Sequence, residues 1–316
     1  MLLKTTIRYH GLQIEICDAK TQKKILELDD VSPSDTISEI KTEIHLKRAN
    51  LYPDRQALRL EPRGKSLKDD ETLGELNLPA RGGQLYLRDL GAQIGWKTVF
   101  LIEYAGPFFI YPIFYLRPEF IYGRGAAYVS YAQAVHLAVA CWTFHYGKRL
   151  YETQFVHRFS HGTMPLMNVF KNSAYYWGFC AYVAYFVNHP LYTAPMFGSA
   201  QLATGLAVFC FAELGNYAIH ALLRDLRPPG SKVRRVPMPN ANPFTVLFNY
   251  VSCPNYTFEV MAWLAFSVTT QCLPALIFCF VGAVQMTIWA KNKHQNYKRE
   301  FSNYPKRRTA IVPFLL

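Results

Sequence analysis

Three polar blocks stand at the ends of apolar runs in this chain of 316 residues, and each holds groups able to bind an anion or move a proton. The first, GNYAIHALLRDLRPPGSKVRRVP, runs from Gly215 to Pro237. In it Asn216, His220, Arg224 and Arg227 recur at helical spacings, followed by a Pro-Pro-Gly break and a second basic cluster that includes Arg235. Planar guanidinium forks suit phosphate, and two on a fixed frame would hold a pyrophosphate and a 2′-phosphate. The same residues also suit a basic loop that snorkels at a membrane surface. The second block, NYVSCPNYTFE, carries Asn255, Tyr256 and Glu259 straight into an apolar run. A phenol is protonated at neutral pH and donates its proton once a neighbouring charge lowers its pKa, so Tyr256 is the candidate acid.

The third block is the tail, WAKNKHQNYKREFSNYPKRRTAIVPFLL, where His294 and Tyr297 share a helical face among lysines and arginines. Their expected task is hydrogen bonding to a bound anion. Glu103, in FLIEYAGPFF, is the one carboxylate in the first apolar run, and an acid inside a membrane is either functional or spent on helix-helix hydrogen bonding. The stretch Lys148 to Pro165 is dense in Lys, Arg and His. His145, His157 and His161 lack metal-ligand spacing and Glu152 is out of register with them, so no metal site is expected. No G-x-G-x-x-G follows a strand, so a nicotinamide cofactor would have to sit in a helical pocket and not on a Rossmann fold.

These groups need elements to hold them, and the composition divides those elements into two kinds. Residues 1–88 carry 15 Lys/Arg against 14 Asp/Glu and no run of membrane length, whereas residues 89–316 carry 19 against 8. The mean hydropathy near zero averages these unlike parts. In the first part, runs at 14–16 and 24–28 flank a polar turn, Thr36 and Glu39 form a capping box, and Ile37, Ile40 and Ile44 share one helical face. Strands at 57–60 and 84–87 complete a ββαββ order around GKSLKDDETLGEL.

A membrane helix needs about 20 apolar residues. Six segments approach this: 98–116, 131–146, 174–187, 202–223, 256–270 and 273–290. The basic residues crowd into the loops 147–172, 224–235 and 291–308, which places those loops and both termini in the cytosol by the positive-inside rule. Basic residues that alternate with apolar segments do not form a nucleic-acid stripe; their partners are lipid headgroups and an anionic ligand. No cleaved signal sequence is expected. Seven cysteines without C-x-x-C spacing read as small buried hydrophobes.

Together FVHRFSHGTMP, LGNYAIHALLRDLRPPGSK, VSCPNYTFE and the tail resemble the trans-2-enoyl-CoA reductase family, within the wider steroid 5α-reductase group, and residues 5–88 resemble ubiquitin-like domains. The resemblance implies a ubiquitin-like β-grasp (α+β) domain over 1–88, then an all-α polytopic membrane reductase domain of about six helices over 89–316. It implies NADPH as cofactor, a long-chain trans-2-enoyl-CoA as substrate, other membrane enzymes of very-long-chain fatty acid elongation as partners, and the endoplasmic reticulum membrane as location. Carried over by position, Tyr256 matches the proton donor, Glu103 an essential acid and Lys148 a further functional residue. Asn216, Arg227, Arg235, Asn255 and Tyr297 fall at cofactor-binding positions; Arg158 is similarly placed and His294 matches only approximately. His220 departs, since the steroid enzymes have aspartate at that offset. A steroid or sterol double-bond reductase, a membrane methyltransferase and a non-enzymatic scaffold with a ubiquitin-like head are the alternative readings.

Overall fold

The structure is a computed structural model, described for residues 12–76, 78–79, 83–159, 162–228 and 233–316. His161, named above, lies outside the described residues. The chain forms two compact units, Met1–Gly95 with His161–Asn168, and Trp96–Ser160 with Val169–Leu316.

In the first unit β1 (Leu12–Asp18) and β2 (Lys24–Val31) form an antiparallel hairpin, and α1 (Ile37–Lys47) crosses the sheet before β3 (Gln56–Arg59) and β4 (Gly83–Asp89). The sheet order is β2-β1-β4-β3, with β1 and β4 parallel. Alternation along β1 sends Ile14 and Ile16 to the core face, where they meet Leu28, Leu58, Leu85 and Leu87. The helix answers with Ile37, Ile40 and Ile44, all at most 1% exposed. Each such side chain contributes about 1.5–3 kcal/mol of burial. Thr36 caps α1 as expected: its hydroxyl accepts from Glu39 N, and the Glu39 carboxylate accepts from Thr36 N at 2.7 Å. A second, unexpected ribbon within this unit pairs β5 (Gln93–Gly95) with β6 (Thr163–Pro165).

The second unit is helical: α2 (Trp96–Tyr115), α3 (Glu119–Tyr122), α4 (Gln133–Tyr151), α5 (Met167–Val187), α6 (Gly198–Asp225), α7 (Pro254–Thr270) and α8 (Leu273–Glu300). All six expected segments are helical, but among the described residues α2, α6 and α8 alone are long and apolar enough to cross a membrane. The expectation of six spans is therefore met in part. Helix α7 has 17 residues, and α4 carries His145, Lys148 and Arg149. Trp142 forms the hub of the core, fully buried with its ring 4.9 Å from Tyr111 and 5.0 Å from Trp263. A π-turn at Glu152–Val156 ends α4 and redirects the chain toward His157 and Arg158.

Candidate active site

The chemistry-bearing residues converge on one cavity of about 1100 Å³ in the helical unit. Helix α8 serves as its ruler. Tyr297 and Lys293 line it near one end of the helix, Trp289 and Gly282 lie further along, and Phe278 marks the other end. At 1.5 Å per residue that wall is about 28 Å long. Tyr256 sits part-way, its ring 6.3 Å from Trp289. The wall thus grades from basic and polar to aliphatic and aromatic.

Seven of the ten residues assigned by resemblance line the cavity: Glu103, Arg158, Arg227, Arg235, Asn255, Tyr256 and Tyr297. Arg224 and Arg234 join the arginines there. Hydrogen bonds from arginine side chains to backbone carbonyls knit two of the segments together. Arg158 donates from Nη1 to Arg224 O at 3.0 Å and also to Arg227 O, and Arg227 returns a bond to Arg158 O at 3.3 Å. Glu103, 2% exposed, accepts from Asn172 Nδ2 at 2.8 Å. Tyr256 lines the cavity, and its hydroxyl makes no hydrogen bond to any described residue.

The start of α7 is held from outside the helix. Ser252 N and Cys253 N donate to Thr309 O and Ala310 O of the tail at 3.0 and 3.1 Å, and Thr257 Oγ1 donates to Ile311 O at 2.6 Å. The tail therefore fixes the backbone that presents Asn255 and Tyr256.

Three assigned residues stand elsewhere. Lys148 and Asn216 are off the cavity surface, in a buried network behind it. Lys148 Nζ donates to Asn216 Oδ1 at 2.6 Å and pairs with Glu213 at 2.8 Å. Asn216 Nδ2 donates to Asn255 O at 2.9 Å and to Glu259 Oε2 at 3.1 Å. Lys148, expected to be catalytic, does not line this cavity, and its ammonium is engaged by Asn216 and Glu213. His294 also turns away and shares a 2.6 Å hydrogen bond with Ser252 Oγ, which in turn contacts Tyr304. This pairing anchors the tail.

Several contacts were not foreseen from sequence. His145 lies between two carboxylates, with Nδ1 2.6 Å from Glu213 and Nε2 3.2 Å from Glu259. Arg149 reaches Tyr104 Oη at 2.8 Å and Glu152 Oε2 at 2.8 Å. His220, the departure noted above, lies 3.0 Å from Glu152 Oε1, so the end of α4 supplies an acid beside it. The available signal was spacing: His145, Arg149 and Glu152 lie three or four residues apart on α4, and Glu213, Asn216 and His220 repeat that on α6. Glu152, His157 and His220 bring ligand atoms within 4.8 Å of one another. With Arg149 and Lys148 also on Glu152, the cluster is an ion-pair network whose acid is already neutralised.

Arginines, a buried acid and a phenol thus line one cavity of a helical unit, and the comparisons with known proteins place this arrangement in a class of reductases. Residues 162–316 match the family model described as 3-oxo-5-alpha-steroid 4-dehydrogenase, and residues 12–89 match the ubiquitin-like domain of TECR. The chain is 56% identical to a Caenorhabditis elegans protein named "Probable very-long-chain enoyl-CoA reductase art-1", over 96% of this chain and 99% of that protein. It is 44% identical to the very-long-chain enoyl-CoA reductase of Dictyostelium discoideum, over 96% of this chain and all of that protein. It is likewise 44% identical to the human trans-2,3-enoyl-CoA reductase-like protein, over 96% of this chain and 84% of that one. The chain belongs to the very-long-chain enoyl-CoA reductase family.

Proposed function

We propose that this chain saturates the C2–C3 double bond of a long-chain trans-2-enoyl-CoA, the closing reduction of a fatty acid elongation cycle, with NADPH as the electron source. The observation that carries this reading is the single graded cavity, arginine-rich at one end and aromatic at the other, with the Tyr256 hydroxyl between.

The residues fit the cofactor. Arg158, Arg224, Arg227, Arg234 and Arg235 all line the cavity, a donor set suited to a pyrophosphate and a 2′-phosphate. Asn255 and Tyr297 add hydrogen-bonding groups beside them. When bound, NADPH supplies the hydride equivalent that reduces the β-carbon. Everything else falls to the protein. Reduction at Cβ develops negative charge on the thioester oxygen and Cα, and Tyr256 supplies the proton that ends at Cα. Glu103, fixed by Asn172, orients the substrate or the phenol. Asn216 and Lys148 hold Asn255 and Glu259 in place from behind. The aromatic walls exclude water from the reacting carbons.

The domain plan follows from the same reading. Residues 1–88 form a cytosolic ubiquitin-like head and 89–316 a six-helix reductase domain in the endoplasmic reticulum membrane, with both termini cytosolic and other elongation enzymes as neighbours. The test is direct: purified protein in detergent is given NADPH with a long trans-2-enoyl-CoA, and separately with a 3-oxo-4-ene steroid. Absorbance loss with the thioester alone is the expected result. Loss only with the steroid, or with neither, overturns the assignment.

A further inference from the structure

Lys293 lines the cavity without a counter-charge of its own. Among the described residues its ammonium forms no ion pair and no side-chain hydrogen bond, and it lies 5.9 Å from the centre of the Tyr297 ring. The charged groups that share its surroundings on α4 and α7 are committed elsewhere: Arg149 to Glu152 and Tyr104, and Glu259 to His145 and Asn216. An ammonium held beside apolar walls without a carboxylate costs free energy, which singles it out as functional. Its position says what it serves. Trp289, Lys293 and Tyr297 follow one another at four-residue steps on α8, and all three line the cavity. The Tyr256 ring packs onto the preceding turn, 6.3 Å from the Trp289 ring and against the cluster that holds Met286 and Ala290. Of the cations around Tyr256, Lys293 acts on it most strongly, ahead of Arg149. Cys253 and Glu259 also act on the phenol, and Cys253, Tyr297 and Arg227 on the ammonium.

We propose that Lys293 is the positioning charge that makes Tyr256 an effective acid: its ammonium offsets the negative charge that the phenol acquires on giving up its proton. The proposal rests on the enoyl-CoA reading and deepens it. As the hydride equivalent reaches Cβ, the Tyr256 O–H bond breaks, its proton forms the new Cα–H bond, and the O–H electron pair stays on the phenolate oxygen. That phenolate regains a proton from water before the next turnover. A phenolate beside apolar walls is costly, and an unpaired cation nearby stabilises both it and the transition state that leads to it. Arg149, already paired with Glu152, contributes less because its charge is largely neutralised.

Kinetics on the full-length protein in detergent, with NADPH and a long trans-2-enoyl-CoA, test this. Lys293→Met keeps the apolar stem and loses the charge. It is expected to lower kcat by roughly tenfold or more, while KM for the thioester and NADPH affinity by fluorescence titration stay within about twofold of wild type. Lys293→Arg restores a cation and is expected to recover most of the rate. In a Tyr256→Phe background, where no phenol remains to be assisted, Lys293→Met is expected to cost nothing further. An equal further loss in that background overturns the proposal, as does an unchanged kcat in the single variant. Weakened NADPH binding with kcat preserved makes Lys293 a phosphate ligand and overturns it too. Should Lys293→Met fail to fold, Lys293→Gln is read in the same way. Absence of turnover in the wild-type protein strikes the enoyl-CoA reading itself, so the two failures are told apart.

Discussion

Lys148 and Asn216 lie 68 residues apart in sequence and meet at 2.6 Å, ammonium to amide oxygen, so α4 and α6 are joined behind the cavity by one charge-assisted hydrogen bond. The same ammonium neutralises Glu213, which is 2% exposed. Lys148→Met leaves the buried Glu213 carboxylate with His145 as its remaining partner, and breaking one arm of such a buried pair costs up to about 3–5 kcal/mol. The single variant is expected to unfold at a markedly lower temperature than wild type. Lys148→Met with Glu213→Gln removes both charges and is expected to recover part of the loss. Thermal unfolding in detergent reads both, and a double variant no more stable than the single one would show that the pair contributes nothing.

Tyr256 behaves differently because its hydroxyl supports nothing. It makes no hydrogen bond to a described residue, so Tyr256→Phe removes only the proton. General-acid assistance is typically worth about 10²- to 10⁴-fold. Turnover is expected to fall within that range while the melting temperature and NADPH affinity match wild type. A variant with full turnover would assign the proton to another group.

Burial, reinforced by Arg149 and His220, pushes the His157 imidazole down to about 3, so it is neutral in the folded protein. Unfolded, it titrates near 6.5. The unfolded chain therefore takes up a proton below that pH which the folded chain refuses, and stability falls as pH drops from about 6.5 toward 3. Glu152 adds to the slope at the acid end. Although burial opposes its charge, His220, Arg149 and Lys148 hold its carboxyl below the usual range, and that stabilisation is lost as pH falls through the folded value. His157→Gln should flatten the decline in melting temperature between neutral pH and pH 5, and an unchanged slope would rule out His157 as its source.

What could be read from residues alone depended on the range of the interactions concerned. The Thr36–Glu39 box and the Ile37, Ile40, Ile44 face are local, and the structure reproduces both. Glu103, Tyr256 and the arginines were visible because charged or phenolic groups beside apolar runs are costly. The β5–β6 ribbon left no trace, since strands of three residues carry no alternation to detect. Glu152 beside His220, and His145 between Glu213 and Glu259, depend on how α4, α6 and α7 cross. The partner of His294 was hidden for the same reason: its spacing to Tyr297 is helical, but the fold brings its ring to Ser252, 42 residues earlier.

The crossing of α6 and α7 is itself open to test at Gly215. A Cβ built there would fall 2.5 Å from the Phe258 ring, well inside contact, so the hydrogen atom of glycine lets the two helices approach. Asn216 is the next residue, and its amide reaches Asn255 O and Glu259 across the same interface. Phe258 is also packed with Ile219, Leu222 and Phe248, so its ring has little room to withdraw. Gly215→Val must therefore push α6 off α7 or force Phe258 from its rotamer, and such overpacking costs about 1–3 kcal/mol. Because separation would stretch the Asn216 bonds that hold the Asn255 backbone, the variant should lose NADPH affinity more than the same stability loss in the head domain would cause. Leu58→Ala, buried in the first unit, serves as the matched control. NADPH titration by intrinsic fluorescence on both variants, at temperatures where each is fully folded, separates the two effects, and equal affinities would mean that the helix crossing does not govern the site.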